Sequence, residues 1–252
     1  MGGGRSGILL GNSRLCCGHF EGCRVLDSRA IAYEEIESPG NQEWLVDFLG
    51  SAEVEVVVGS VCVERLGLLH SADPDGSSRL LEAGRDFKIP VENHYENPGE
   101  VGVDRLLNAL AAGTRWPGQE VVVVDFGTAM SISVVSARGE FLGGPIGAGV
   151  GTILRGLASA TPRLPGLEDG PETPLIARST VQALRVGVLG QVRGGVDRLV
   201  QGIRQELGGD TRVVATGGEA EWVASGLDLF DTIVPELTLE GLAIAAETGA
   251  RT

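Results

Sequence analysis

Lysine is all but missing from this 252-residue chain: Lys88 stands in no motif, and no G-x-x-x-x-G-K-[ST] stretch occurs. A P-loop, which sets that lysine on nucleotide phosphates, is therefore excluded, and no G-x-G-x-x-G follows a first strand either. A basic face is lacking too. At a formal net charge of -14, the chain offers nothing like the cationic surface that nucleic acid or anionic lipid requires. Apolar runs stay short of the ~20 residues that cross a bilayer, and no charged-then-apolar leader precedes the first strand. The opening MGGGRS fits the myristoylation pattern at Gly2 and Ser6, but so short a pattern arises easily from composition. A cytoplasmic protein with neither a membrane nor a nucleic-acid partner is expected.

Metal and hydrolase signatures are missing as well. Four cysteines, Cys16, Cys17, Cys23 and Cys62, contain no C-x-x-C pair and read as free thiols of a reducing compartment. His19 lies among them in CCGHFEGC, yet adjacent Cys16 and Cys17 point to opposite faces of a strand, so core packing is expected rather than zinc. His19, His70 and His94 fall at no metal or triad spacing, and no G-x-S-x-G occurs. Disorder is excluded by 42% hydrophobic against 21% charged residues. The length suits one large domain or two small ones.

What the chain does have is glycine, 39 residues of it, which implies many tight turns or close backbone approaches. Residues 7–33 read as strand, G-N-S turn, strand, tight turn at Glu21-Gly22, strand. Residues 121–146 repeat that plan: VVVVD, FGTA, MSISVVS, a turn at Arg138-Gly139, then EFLGG. Duplication of one α/β unit follows, giving an N-terminal domain over 1–116 and a C-terminal one over 117–252. EVEVVVGSV (53–61) reads as a buried strand, TRVVATGG as a strand entering a glycine turn, and residues 41–50, 150–160 and 179–203 as helices. After ENPGE, Val103, Leu106, Leu107, Leu110 and Ala111 fall at helical spacing, with Gly113 as the expected stop. LPGLEDG and PETPL read as loops. Strands and helices alternate, so the class is α/β.

Four stretches carry chemistry. In DFGTA, Asp125 ends a buried strand; it can hold a cation while Gly127 and Thr128 receive phosphate oxygens, or it can simply cap a turn. In ENPGEVGVDR, Asp104 and Arg105 open a helix. The acid there either complements the helix dipole or takes a proton from a hydroxyl while the arginine anchors an acidic substrate. GGPIGAG (143–149) demands sharp bending or close approach. ATGGEA (215–220) turns through Gly217 and Gly218, suiting a nucleotide's flat face or merely a tight strand-to-helix turn.

In order along the chain, these elements resemble the type III pantothenate kinases of the actin, sugar-kinase and heat-shock ATPase superfamily. The matching stretches are G-N-S at 11–13, GSV at 59–61, YENPGEVGVDRLLNALAA at 95–112, DFGTA, GGPIGAG, ATPRLP at 160–165, STVQALRVG at 179–187, ATGG and PELTLEGL at 235–242. The resemblance implies two actin-like, ribonuclease H-like domains with a nucleotide cleft between them. It implies ATP-dependent phosphorylation of pantothenate's hydroxyl, the first step towards coenzyme A, by a homodimer using ATP, Mg²⁺ and a monovalent cation (K⁺ or NH₄⁺). Carried over by position, Asp104 is the catalytic proton acceptor. Tyr95, Gly102, Val103, Asp104, Arg105 and Thr180 bind substrate. Gly11, Asn12, Ser13, Gly127, Thr128, Gly217 and Gly218 bind ATP, and Asp125 holds the monovalent cation. Two positions depart from the pattern. Leu9 stands where the first loop carries an aspartate aimed at ATP phosphates and Mg²⁺, and Ala148 replaces a proline. The other readings are a catalytically impaired relative that binds nucleotide or pantothenate as a regulator, and a phosphohydrolase or nuclease on the same fold.

Overall fold

The computed structural model describes residues 5–36, 38–50, 55–72, 80–161, 164 and 174–251. The myristoylation pattern at Gly2, nearly all of LPGLEDG and most of PETPL lie outside them. The chain opens with β1 (Arg5–Leu10), β2 (Arg14–Glu21) and β3 (Arg24–Ala32), an antiparallel meander. Gly22, at φ 58, supplies the left-handed position of its second turn. After α1 (Tyr33–Ile36) and α2 (Pro39–Gly50), β4 (Val56–Ser60) returns parallel to β1. Beyond α3 (Leu66–Ala72), β5 (Leu80–Glu82) lies parallel to β4. The sheet order is β3-β2-β1-β4-β5. Every residue of β4 is buried, as its β-branched run requires of a strand covered on both faces. One face packs Ile8, Leu10, Leu15, Cys17, Val56 and Val58 against Ile36, Leu45, Leu49 and Leu69 of the helices.

The second half follows the same plan. After α4 (Val103–Arg115), β6 (Val121–Phe126) and β7 (Ala129–Val135) form an antiparallel pair, followed by β8 (Phe141–Gly143) and β9 (Ile146–Ala148). Then come α5 (Val150–Ala160), α6 (Thr180–Leu207), β10 (Arg212–Thr216), α7 (Ala220–Ala224), β11 (Thr232–Ile233) and α8 (Leu237–Thr248). The order is β11-β10-β6-β7-β8, with β9 on β7, and β10 is parallel to both β6 and β11. The first sheet's arrangement of meander and parallel extension is thus repeated. Val188, Val192, Val196 and Val200 of α6 recur every four residues and enter the core with Val122, Val124, Val213 and Ala215. Ser179 caps that helix by accepting from the Gln182 amide at 3.3 Å, and Gly208 at φ 74 ends it.

Two compact units result. The first gathers Met1–Pro117, Arg138–Phe141 and Glu236–Thr252; the second gathers Gly118–Ala137 and Leu142–Pro235. Within the first, α8 packs along α4, and the crossing is so close that a Cβ on Gly241 would stand 2.1 Å from the Leu107 carbonyl oxygen. Gly113 does not stop α4, which runs on to Arg115. That glycine instead admits Gly139, whose Cα would lie 2.9 Å from a Cβ at this position. Among the described residues no helix is long and apolar enough to cross a membrane.

Candidate active site

The first unit assembles one group around the start of α4. Asp104 is the second residue of the helix, and its Oδ1 accepts the Arg105 amide at 2.9 Å. The carboxylate folds back over its own helix start. A Cβ on Gly102 would sit 2.5 Å from that oxygen, so glycine leaves the room the fold-back needs. Burial pushes the Asp104 carboxyl above the usual carboxylate range, and the Arg105 amide and guanidinium oppose the rise without cancelling it. Arg105 is buried, with its guanidinium 5.1 Å from the Phe141 ring and 5.9 Å from that of Tyr95. Those rings are themselves 6.2 Å apart. Tyr95 is fixed through its amide, which donates to Asn93 Oδ1 at 3.0 Å. A carboxylate, a guanidinium and two aromatic faces therefore meet at one helix end. Asn108, one turn on and fully buried, accepts from the Thr238 hydroxyl of α8 at 2.8 Å and ties α4 in place.

The turn of residues 11–13 is the first unit's other candidate element. The Gly11 carbonyl accepts the Tyr33 hydroxyl at 3.0 Å, and the Ser13 carbonyl accepts the Tyr33 amide at 3.1 Å. The loop backbone is thus pinned at both ends, while Asn12 is exposed. The Arg65 guanidinium lies 4.2 Å over the Tyr33 ring, and burial pushes the Tyr33 hydroxyl up to about 12. Leu9, just before this turn, is half-buried. A Cβ on Gly59 would meet Leu9 Cδ2 at 2.8 Å, Leu107 Cδ1 at 3.1 Å and Leu242 Cδ1 at 3.7 Å. This position is hydrocarbon packed against α4 and α8, and it offers no oxygen to a metal.

The second unit builds a glycine cradle. Asp125 is the penultimate residue of β6, paired in register with Ser131 and Thr216. A Cβ on Gly217 would come within 2.4 Å of Asp125 Oδ1, and the φ of 93 there suits glycine alone. Gly149 is equally constrained, since a Cβ would stand 1.9 Å from the Gly127 carbonyl oxygen. The Thr128 carbonyl accepts the Gly149 amide at 3.1 Å and the Thr152 hydroxyl at 2.6 Å, joining the β6–β7 turn to the start of α5. Glu219 belongs here too. Its amide donates to the Phe126 carbonyl at 3.0 Å, and its Oε1 accepts the Gly151 amide at 3.3 Å. Asp125, Gly127, Thr128 and Gly217 thus share one place, with Gly218 exposed on the rim. Space kept open by glycine beside a carboxylate fits a cation with phosphate oxygens.

Thr180 lies in the second unit, exposed in the first turn of α6. Phe141, Glu219 and the Asn108–Thr238 pair were missed by sequence reasoning, and only Glu219 had a signal, its place directly after the Gly217-Gly218 turn. None of the four cysteines forms a disulfide. Only Cys17 fits the expectation of core packing: Cys23 is exposed, and Cys16 and Cys62 are half-buried.

Comparison with known proteins adds to this geometry. Residues 8–202 match the family model described as type III pantothenate kinase. The chain is 35% identical over 246 residues to a type III pantothenate kinase of Parafrankia sp. (strain EAN1pec), covering 95% of this chain and 96% of that protein. It is 42% identical over 248 residues to the enzyme of that name from Anaeromyxobacter dehalogenans (strain 2CP-C), covering 95% and 97%. Among solved structures it is similar to a Baf-family transcriptional activator from Campylobacter jejuni, with TM-score 0.58, 17% identity and 94% of each chain covered. It is also similar to MreB5 of Spiroplasma citri bound to ADP, with TM-score 0.51, 12% identity, and 96% and 95% covered. Likenesses at such identities show the fold alone, which is the two-domain actin-like one.

Proposed function

This chain belongs to the type III pantothenate kinase family, and from that premise we propose how its residues divide the work. The protein is an ATP-dependent kinase that phosphorylates the hydroxyl of pantothenate, the first step of coenzyme A synthesis. Phosphoryl transfer needs positioning and charge neutralisation more than covalent help. Asp104 accepts the hydroxyl proton as the substrate oxygen bonds to the γ-phosphorus and the bond to the ADP oxygen breaks. Burial that raises its proton affinity makes it the better base. Arg105, held beside the Tyr95 and Phe141 rings, pairs with pantothenate's carboxylate, and Gly102 and Val103 complete the floor.

The glycine cradle of the second unit takes the ATP phosphates, with the Gly127-Thr128 and Gly217-Gly218 turns as walls. In the first unit, the turn of Gly11, Asn12 and Ser13 is an ATP-binding element by its sequence. Asp125 would hold a monovalent cation, K⁺ or NH₄⁺. Such a cation, with the divalent metal ion that the family's kinases use alongside ATP, offsets phosphate charge when bound. Leu9 cannot ligate that divalent ion, so no part of the step is assigned to this position.

The observation that carries the reading is the meeting of a proton-hungry carboxyl, a buried guanidinium and two aromatic faces at the start of α4. Its test is ADP release with pantothenate, ATP, Mg²⁺ and K⁺. Asp104→Asn is expected to lower kcat by about 10²–10⁴-fold, and turnover that survives the change would remove Asp104 as the base. We further propose a cytoplasmic homodimer that uses the surface around Thr180. Leu175 at 88% and Ile176 at 83% exposure, and Val181 next to Thr180 in sequence, are exposed apolar side chains of this stretch. Ile176→Asp should give a monomer by sedimentation with a raised KM for pantothenate, and an unchanged mass would count against this surface.

A further inference from the structure

Three metal-ligating side chains of the first unit, none used in the reaction, come together where residues 92–94 run beside residues 140–141. The Phe141 amide donates to the Glu92 carbonyl at 2.8 Å and the His94 amide donates to the Phe141 carbonyl at 2.9 Å, with Asn93 and Phe141 paired as a parallel bridge. This backbone pairing fixes the spacing of the side chains. His94 Nε2 lies 3.1 Å from Glu92 Oε1 and 3.7 Å from Glu140 Oε1, and one ligand atom from each residue falls within 4.8 Å of the others. A tetrahedral zinc ion with bonds of about 2.0–2.2 Å sets its donors about 3.4 Å apart, close to both distances from His94, and the exposed Glu92 side chain can adjust the third side.

We propose that Glu92, His94 and Glu140 form a binding site for a divalent transition-metal ion of the zinc class. Imidazole with two carboxylates suits zinc, cobalt or nickel, while the nitrogen donor disfavours magnesium and calcium. The site is accessible: the Glu92 and His94 side chains are 69% and 42% exposed, whereas Glu140 is buried at 9%. Arg138 is the competitor. Its Nε and Nη2 donate to Glu140 Oε1 at 2.9 and 2.8 Å, but the side chain is 79% exposed and can turn away into water. A bound ion staples residues 92–94 to the strand carrying Phe141, whose ring faces Arg105 and Tyr95. Metal loading should therefore tighten pantothenate binding. That consequence rests on the functional reading above, whereas the binding itself does not.

The test is a Zn²⁺ titration of the full chain, stripped with EDTA, against a chromophoric chelator. His94→Ala and Glu92→Gln, both surface changes, should weaken one zinc equivalent by about tenfold or more. Arg138→Met should strengthen it by freeing Glu140. The same four cysteines are present throughout, so identical isotherms for the wild type and His94→Ala would assign any bound zinc to other ligands and overturn the proposal. Kinetics then separate the two claims. Zinc that binds through His94 yet leaves the pantothenate KM unchanged would keep the site and remove its coupling to substrate.

Discussion

Asp104 answers two opposing demands. A carboxyl whose folded-state pKa is raised holds its proton more tightly when folded than when unfolded. Its contribution to stability is therefore present below the unfolded value and is lost as pH rises through the folded one. Once ionised, Asp104 is a cost to the fold and a gain to the reaction. We expect kcat/KM to rise with pH along a limb lying above the ordinary carboxylate range, and Asp104→Asn to abolish that limb while leaving the unfolding midpoint at pH 8 equal or higher. A lower midpoint would mean that the carboxylate stabilises the folded chain. Leu9 presents the opposite exchange. Its methyls fill the space over Gly59 beside Leu107 and Leu242, so Leu9→Asp should cost roughly 1–3 kcal/mol of stability. If this position can serve a phosphate-bound metal, the same change raises kcat; an unchanged or lower kcat would end that idea.

At the level of elements, α4 is where sequence pattern and structure part. Its apolar spacing was legible and marks Leu107, Leu110 and Ala111, all buried. The burial of Arg105 and Asn108 was not legible, because an apolar period marks hydrocarbon positions only, whereas these two polar side chains are buried by partners distant in sequence, Thr238 of α8 for Asn108 and the Phe141 ring for Arg105. Gly113 read as a stop for the same reason, its true neighbour Gly139 lying in a distant turn. The elements α3, β5 and β11 carry too few residues to display a period, and none was anticipated. The α4–α8 crossing supplies a sharp prediction. Gly241→Ala would drive a methyl into the Leu107 carbonyl, and overpacking of this kind costs about 1–3 kcal/mol. Because α4 carries Asp104 and Arg105, the pantothenate KM should rise while the ATP KM holds; both holding would uncouple the crossing from the site.

Considered whole, the molecule is an acid binding acids. Its net charge of -14 repels pantothenate and ATP at long range, and only local groups such as Arg105 reverse the sign close by. Raising ionic strength from about 0.01 to about 0.15 M shortens the screening length from ~30 to ~8 Å, and kcat/KM for pantothenate should increase by roughly two- to five-fold. A decrease would mean that the local cation dominates the encounter. The repeated plan of the two sheets was legible because each meander is written in consecutive residues. So were the contiguous motifs DFGTA, ATGG and GVDR. Phe141 was not, since it joins Tyr95 and Arg105 through pairing across nearly fifty residues of sequence.

The return of the segment after Pro235 to the first unit sets an order of assembly during synthesis. While the ribosome is still delivering that segment, the earlier sheet waits with Leu107 and Gly59 bare of their last cover, a surface inviting chaperones or aggregation. The later-made portion can bury its valines first. A nascent chain arrested before Glu236 should therefore show protease resistance from Gly118 onward and ready digestion ahead of it, so that the half born first matures last.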